Sequence, residues 1–466
     1  MNSNKGLEKS TLISVMMTSF ATTFIGSSLN LALPAIGNNF SSSAVILSWI
    51  VTSYILASAA FLLPVGRFAD ITGRRKVFLW GTILFTSFSL LCAVSWSNHS
   101  IIIFRILQGA AASMIYGTAM AILSSVYPSN KRGRAMGMSV TATYIGLSLG
   151  PVVGGAMCRY MGWRSIFIFT ALISLSAVFF IIFYLKGEWI GAKGEDFDFK
   201  GSVLYMSGLV ALLYGMSAIT SANVAKYILI TGIILLIGFI YCELRVEHPL
   251  IKMQLLTKNR GFAFSNLAAM INYSAITAIG FTISIYLQVI MGYGPQMAGL
   301  ILISQPVVMA LFSSYAGALS DRLQAHIVAS WGMGLSALGL FIFIFLNAQT
   351  PIWLIVINLA LVGLGVALFA SPNSNAIMSS VEPKFYGVAS STMSTMRVIG
   401  QATSMAIVTL LISVYVGNAT LSAVQTSALL KSFQMAFCIF TILCIGGIFA
   451  SLARGRIKTK EKETAA

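Results

Sequence analysis

Two arginines stand within long apolar stretches of this chain, and each is followed by an amide side chain about one helical turn later. Arg105 precedes Gln108 by three residues and Arg397 precedes Gln401 by four, so each pair shares a face if the stretches are helical. A guanidinium is costly to bury among apolar groups, and it therefore requires hydrogen-bond acceptors or an anionic partner. The two pairs are predicted to bind a polar ligand.

Uncharged polar side chains also interrupt the apolar stretches. Such a residue taken alone is more often a hydrogen-bond partner of a neighbouring helix than a ligand contact, and we expect about half of the set to line a ligand site. The set consists of Asn30, Tyr54, Tyr144, Asn272, Tyr286, Gln288, Gln305, Asn373 and Asn375.

The residue types that catalysis needs are missing from these stretches. All twelve acidic residues and all three histidines fall in loops or at the ends of apolar stretches. An enzyme needs paired carboxylates, a metal cluster or a nucleophile with its base, and the stretches contain none of these. No phosphate-binding GxxxxGK[ST] segment occurs either, which argues against ATP as an energy source. The sequence therefore predicts neither an enzyme nor a metal or cofactor site.

The composition explains what the apolar stretches are. Of 466 residues, 57% are apolar and only 9% are charged, whereas a soluble protein carries roughly 25% charged residues. So few charges cannot solvate the surface of a chain this long. The net charge of +17 comes from short Lys/Arg clusters between the apolar stretches, a pattern typical of membrane topology and not of nucleic-acid binding. The chain is predicted to be an all-α, polytopic membrane protein.

A helix crosses the hydrocarbon core with about 20 residues, and stretches of that length predict fourteen transmembrane helices. They cover residues 11–33, 46–66, 77–96, 100–127, 135–158, 164–186, 201–220, 226–243, 262–290, 296–318, 327–346, 352–380, 387–413 and 429–453. An even number puts both termini on the same side, and the Lys/Arg distribution makes that side cytoplasmic. On the other side lie only Arg159, Arg164, Lys226 and Lys431.

A weak internal repeat predicts the domain organisation. Residues 66–81 and 317–332 both have a Gly, an Asp four residues later and a Trp-Gly pair ten residues after the Asp. Two matched halves are a common transporter architecture. We therefore expect two pseudo-symmetric six-helix bundles with two inserted helices between them. The predicted boundaries are 1–186 for the first bundle, 187–259 for the inserted helices and their linkers, 260–453 for the second bundle and 454–466 for a basic tail.

The segment from 66 to 76, GRFADITGRRK, resembles the loop between the second and third spans of the major facilitator superfamily. With fourteen spans, the chain is similar to the drug:proton antiporter branch of that superfamily. The resemblance implies a gate latch at this loop and at its second copy. The latch residues are Gly66, Asp70, Gly73, Arg74 and Arg75, with Gly317 and Asp321 in the second copy.

Two further segments carry the resemblance. RILQGAAA, which begins at Arg105, is similar to the family's fourth-span motif, which implies a role in proton transfer or substrate binding. GLSLGPVVGG, in the fifth span, is similar to the motif that the family's exporters carry, and it implies a hinge. The hinge residues are Gly146, Gly150, Pro151, Gly154 and Gly155.

One position departs from the branch. Its drug antiporters usually carry an Asp nine residues before the proline of an Ala-Leu-Pro segment, and nine residues before Pro34 this chain has Ile25. A proton-coupled pump commonly uses a desolvated carboxylate, so proton coupling stays open. A cavity with Arg105 and Arg397 but no carboxylate should favour neutral or anionic amphiphiles over lipophilic cations.

The function predicted from the sequence is a secondary transporter in the plasma membrane that exports amphiphilic small molecules by alternating access. A facilitator or exchanger of an organic anion or neutral metabolite, and a membrane sensor without flux, are the alternatives. The expected partners are a small-molecule substrate, the lipid bilayer and, if transport is coupled, protons. Nucleic acid is not expected as a partner, and the chain is expected to be a monomer.

Overall fold

The computed structural model describes most of the chain. Backbone positions are described for residues 2–218, 224–251, 257–381, 386–417 and 426–454. Side chains are described over the same ranges except at 2–5, 129–134, 321–322 and 386–387. The side chain of Asp321, the predicted latch residue of the second copy, therefore lies outside the described residues. The tail residues after 454 lie outside them as well.

Fourteen helices in the described ranges are long and apolar enough to cross a membrane, and no β-strand occurs in those ranges. The predicted all-α class and the number of spans are confirmed. The eight helices that precede the long linker are α1 (Asn2–Phe40), α2 (Ala44–Thr72), α3 (Arg74–Ala93), α4 (Asn98–Val126), α5 (Ser129–Tyr160), α6 (Arg164–Phe183), α7 (Phe199–Ala218) and α8 (Ala225–Glu243). The six after it are α9 (Arg260–Ile290), α10 (Pro295–Leu302 and Ser304–Arg322), α11 (Ala325–Phe343), α12 (Ile352–Ser379), α13 (Tyr386–Tyr415) and α14 (Thr426–Leu452).

Local sequence signals determine where several helices begin and end. Ser43 caps α2 by accepting the N–H of Ile46 at 3.3 Å, and Ser97 with Ser100 forms a capping box at the start of α4. Gly73 ends α2 with a φ of 124°, a backbone conformation that favours glycine, and α3 begins at the next residue. The two helices therefore meet in one tight turn.

The ninth span is not one regular helix, although its sequence predicts an unbroken run over 262–290. Its α-helical hydrogen bonding is interrupted after Ile276, where the N–H of Ala278 donates to Ser404 Oγ at 3.1 Å, and its last turn is a π-helix over Tyr286–Ile290. The hydroxyl belongs to α13, far along the chain, so the span's own sequence could not predict the break.

The helices pack as two groups of six with a hairpin between them. In the first group α1 packs on α5 and α6, while α2 and α3 pack on α4. In the second group α9 packs on α13 and α14, while α12 packs on α10 and α11. The hairpin of α7 and α8 rests through α7 on α2 and α13, one helix from each group. The groups themselves meet mainly where α2 contacts α13 and where α5 contacts α10.

Successive helices run in alternating directions, so the molecule has two ends. We call the end with the Gly73 turn the basic end, because Arg67, Arg74 and Arg75 lie there. The other, with the α1–α2 turn at residues 41–43, is called the far end. Fourteen alternating helices bring the start of α1 and the end of α14 to the basic end.

Candidate functional site

Arg105 lies in a closed network inside the first group of helices. Its side chain is only 1% exposed, and its guanidinium stacks 4.1 Å from the centre of the Tyr54 ring. The guanidinium donates from Nε to the carbonyl of Ile50 at 3.2 Å and from Nη1 to Gln108 Oε1. Gln108 in turn donates to Ser89 Oγ at 2.7 Å. The predicted pairing of Arg105 with Gln108 is therefore present, and both side chains are occupied by the protein itself.

Arg397 lies in a different setting, at a cavity within the second group. The cavity has a volume of about 40 Å³ and lies between α9, α12 and α13, in the halves of these helices nearer the basic end. Its walls are polar on several sides because Tyr273, Asn373, Ser374 and Ser394 line it beside the guanidinium. Among the described residues, neither Arg397 Nε nor Asn373 Oδ1 has a hydrogen-bond partner, although both atoms are buried. Two residues that line the cavity thus each keep one polar atom without a partner in the described part of the chain.

Tyr144 links the first group to residues beside the cavity. It lies halfway along α5 and interacts with Ser313 of α10, with Tyr273 and with Arg397. The sequence analysis selected Tyr144, Asn373 and Arg397 and missed Tyr273, Ser313, Ser374 and Ser394. Tyr273 directly follows Asn272, so the same rule of polar residues among apolar ones could have found it.

The remaining predicted ligand residues lie elsewhere. Tyr286 is fully buried and donates to the carbonyl of Asn347 at 2.6 Å, and Gln288 donates to Ser284 Oγ at 3.0 Å. Neither side-chain atom of the buried Asn272 has a partner among the described residues. Asn30 Oδ1 is likewise buried without a partner among the described residues. Gln401 is half-buried one turn after Arg397, and the backbone of Gln305 packs on Gly363. Asn375 is exposed and donates to Ser320 Oγ at 3.4 Å.

Three of the four glycines of the fifth-span segment allow α5 to lie directly on α1. A Cβ on Gly146, Gly150 or Gly154 would overlap Thr23, Ser27 or Ser28 of α1. At the same contact Ser28 Oγ donates to the carbonyl of Gly150 at 2.9 Å. Pro151 lies within α5 and is buried. These residues therefore form a close helix–helix contact inside the first group.

The fourth glycine, Gly155, faces the second group. A Cβ there would lie 2.5 Å from the carbonyl oxygen of Pro295, and a Cβ on Gly299 would overlap the carbonyl oxygen of Pro151. Hydrogen bonds support this contact at the far end. They join Ser284 to the carbonyl of Asn30 at 2.7 Å, Arg159 to Gln296 at 3.1 Å and Thr52 to Thr409 at 3.3 Å. In the described part of the chain, the two groups are thus bonded to each other on the far-end side.

The loop at the basic end is held within the first group and its linker. Arg74 pairs with Asp70 at 2.7 Å and donates to Ser125 Oγ of α4 at 2.9 Å. The carbonyl of Asp70 accepts the N–H groups of Gly191 and Ala192 at 3.0 and 2.9 Å. A Cβ on Gly66 would meet open space, although one on Gly117 of α4 would lie 3.4 Å from Gly66 Cα. In the second copy, a Cβ on Gly317 would lie 3.0 Å from Ser371 Oγ of α12.

The segment after α6 wraps around the same loop. Arg75 donates from its side chain to the carbonyl of Leu185, and its N–H donates to Glu188 at 2.7 Å. Arg67 forms an ion pair with Glu195, which also lies 3.2 Å from His248 beyond α8. Among the described residues, the hydrogen bonds and ion pairs of this loop thus run to α4, α6 and the linker segments. The sequence motif alone does not indicate that these linkers are its partners.

Comparisons with known proteins agree with this architecture. A family model described as Major Facilitator Superfamily matches residues 15–225 and 266–466. The chain is 31% identical over 386 residues to the riboflavin transporter RibZ of Clostridioides difficile (strain 630), a match that covers 83% of this chain and 84% of that protein. It is 29% identical over 384 residues to the multidrug resistance protein Stp of Mycobacterium tuberculosis (strain ATCC 25618 / H37Rv). That match covers 81% of this chain and 71% of that protein.

A solved structure shares the fold over nearly the whole length. It is a bacterial homologue of the human lysosomal transporter Spinster, in an inward-facing and unoccupied conformation. The TM-score is 0.68 at 13% sequence identity, and the match covers 97% of each chain. With the family model matched over most of its length, and with transporters among its relatives, this multi-pass chain belongs to the Major Facilitator Superfamily and is a membrane transporter rather than an enzyme.

Proposed function

We propose that the chain exports neutral or anionic amphiphilic small molecules across the plasma membrane, and that the cavity at Arg397 binds them. The observation that carries the proposal is the pairing of a buried, unpartnered Arg397 Nε with an unpartnered Asn373 Oδ1 in one polar cavity. The half-buried guanidinium of Arg397 attracts carboxylates, phosphates and carbonyl oxygens, and it repels lipophilic cations.

The preference for neutral or anionic substrates has a second support. Among the described residues, no acidic side chain lines this cavity, and the branch's span-one Asp is replaced by Ile25, which is fully buried in α1. A cationic drug would meet a positive charge with no carboxylate to offset it. Export rather than uptake is supported by the GLSLGPVVGG segment, whose resemblance is to exporters.

The proposed movement is a rocking of the two six-helix groups. We propose residues 1–186 and 260–453 as the moving bodies, with both termini in the cytoplasm because the Lys/Arg clusters lie at the basic end. On this assignment the hydrogen bonds at the far end close the extracellular side. The Asp70–Arg75 loop would be the latch of the opposite state, in which the basic end closes.

A facilitator or exchanger of a neutral or anionic metabolite is the second candidate. It is favoured because none of the cavity's lining residues in the described ranges carries a carboxylate, the usual proton carrier of a coupled pump. The relative named a riboflavin transporter makes riboflavin a reasonable first probe. The two candidates differ in one measurable property, dependence on a proton gradient.

Transport in proteoliposomes tests the proposal. Riboflavin, an anionic fluorescein dye and cationic ethidium are supplied with and without a pH gradient, to wild type, Arg397→Ala and the exposed control Arg245→Ala. We expect movement of the neutral or anionic probes, a loss of at least about 10-fold in Arg397→Ala, and no change in the control. Ethidium transport at or above the rate of the other probes would overturn the substrate assignment. Gradient-independent flux would favour the facilitator.

A further inference from the structure

The inserted hairpin has two buried carboxyl groups at its basic end. Asp198 is the residue before α7 and Glu243 is the last residue of α8, so the hairpin brings together residues 45 positions apart. Asp198 is 9% exposed and Glu243 only 3%. Nothing in the transport cycle proposed above uses either of them.

One oxygen of each carboxyl group has a backbone partner. Asp198 Oδ1 accepts the N–H of Gly201 at 2.8 Å and so caps the first turn of α7. Glu243 Oε2 accepts the N–H of Ile251 at 2.9 Å, in the segment that leads from α8 toward α9. These two bonds hold both side chains in place, with their second oxygens directed to a common point.

The second oxygens face each other. Asp198 Oδ2 and Glu243 Oε1 are both buried, and neither receives a hydrogen from any described residue. The two carboxyl groups lie within hydrogen-bonding range of each other. A Cβ on Gly201 would overlap Asp198 Oδ2 and lie 2.9 Å from Glu243 Oε1, so glycine leaves room for this approach.

No cation neutralises this pair among the described residues, whose ion pairs involve other carboxylates. The titratable groups nearby are the thiol of Cys242 on α8 and the exposed ammonium of Lys200 on α7. Two carboxylates whose oxygens face each other in a buried corner repel strongly and cannot both be ionised at small cost. A single proton between them converts the repulsion into a charge-assisted hydrogen bond.

We propose that Asp198 and Glu243 form a proton-binding site that holds one proton at neutral pH. The shared proton joins the start of α7 to the end of α8 and, through the N–H of Ile251, holds the chain that directly follows α8 against this corner. Loss of the proton leaves two facing charges and loosens this corner. The site therefore makes the inserted hairpin sensitive to pH, whatever substrate the transporter carries.

Infrared spectroscopy of the purified full-length protein tests the site directly, because a protonated carboxyl group has a carbonyl stretch that a carboxylate lacks. Wild type at neutral pH should show this band, and it should disappear as the pH is raised. Glu243→Gln should lack it, and Asp198→Asn should lose it at a lower pH than wild type, because Glu243 is then still buried but no longer faces a like charge. The exposed control Glu247→Gln should retain it.

Absence of the band from wild type at neutral pH, or its survival in both single variants, would overturn the proposal.

Thermal unfolding gives a second readout that does not depend on assigning a band. The folded wild type holds a proton that the unfolded chain has released at neutral pH, so its stability should fall as the pH rises. Glu243→Gln should lack this part of the pH dependence, and an identical slope in both proteins would also contradict the site.

Discussion

The two membrane-embedded arginines occupy opposite kinds of environment. Arg105 is enclosed by the first helix group. Its guanidinium donates to a backbone carbonyl and to the amide oxygen of Gln108, and it stacks on the face of Tyr54. Arg397 lines a cavity in the second group, and its buried Nε has no partner among the described residues. Both follow the same sequence rule, an arginine one turn from a glutamine in an apolar stretch.

The difference shows that an arginine in a span has two uses. Where the chain supplies the acceptors, the charge becomes part of the architecture, and its removal leaves buried polar atoms unpaired. Where the chain leaves atoms unpaired, the charge is available to a ligand. We therefore expect Arg105 to determine mainly stability and Arg397 to determine mainly transport, and the following experiments test that division.

The largest effect is expected from Arg105→Ala. It removes a ring contact and two charged hydrogen bonds from a fully buried site, which together stabilise the fold by roughly 3 kcal/mol or more. The variant should show a large fall in melting temperature and in yield, measured in detergent beside Arg245→Ala as the exposed control. A melting temperature equal to that of wild type, with transport lost, would reverse the roles assigned to the two arginines.

Arg397→Ala is expected to keep the melting temperature within a few degrees of wild type and to reduce transport of an anionic probe by about 10-fold or more. Arg397→Lys should restore part of the flux, since it keeps the charge but not the planar donor geometry. Initial rates in proteoliposomes at equal protein content measure both. A transport rate in Arg397→Ala equal to that of wild type would show that the cavity is not part of the transport path.

Gly155→Ala tests the contact between the groups. The new methyl would press on the Pro295 carbonyl, so the far-end-closed state should lose about 1–3 kcal/mol relative to other states. We expect increased thiol labelling of a cysteine introduced at the far end. Gly137→Ala, in the same helix with open space around it, is the matched control. Equal labelling of the two variants would argue that this contact does not hold the far end closed.

The smallest effect is expected from Glu195→Gln, which removes the ion pairs to Arg67 and His248. All three side chains are partly exposed, and such pairs contribute between about 0 and 1 kcal/mol. The melting temperature should change by no more than a degree or two, and transport should remain close to wild type. A severe defect, absent from the exposed control Asp196→Asn, would assign the linker a direct part in gating.

Much of the fold could be predicted because apolar stretches of helical length have few alternatives in a bilayer. The number of spans and the alternation of their directions follow from that constraint alone. Details that depend on distant partners could not be predicted in this way. The interruption of α9 depends on Ser404 of another helix, and the basic-end loop is held by linker residues with no motif of their own.

By itself, the sequence determined that this chain is a fourteen-helix membrane protein with polar side chains at known positions on its helices. Spacing along one helix places such residues on a face, as with Arg105 and Gln108. Only the tertiary structure decided which faces meet protein and which meet a cavity. The partners of each side chain come from helices far away in the chain, as with Ile50 for Arg105, and their approach depends on packing that no single helix encodes.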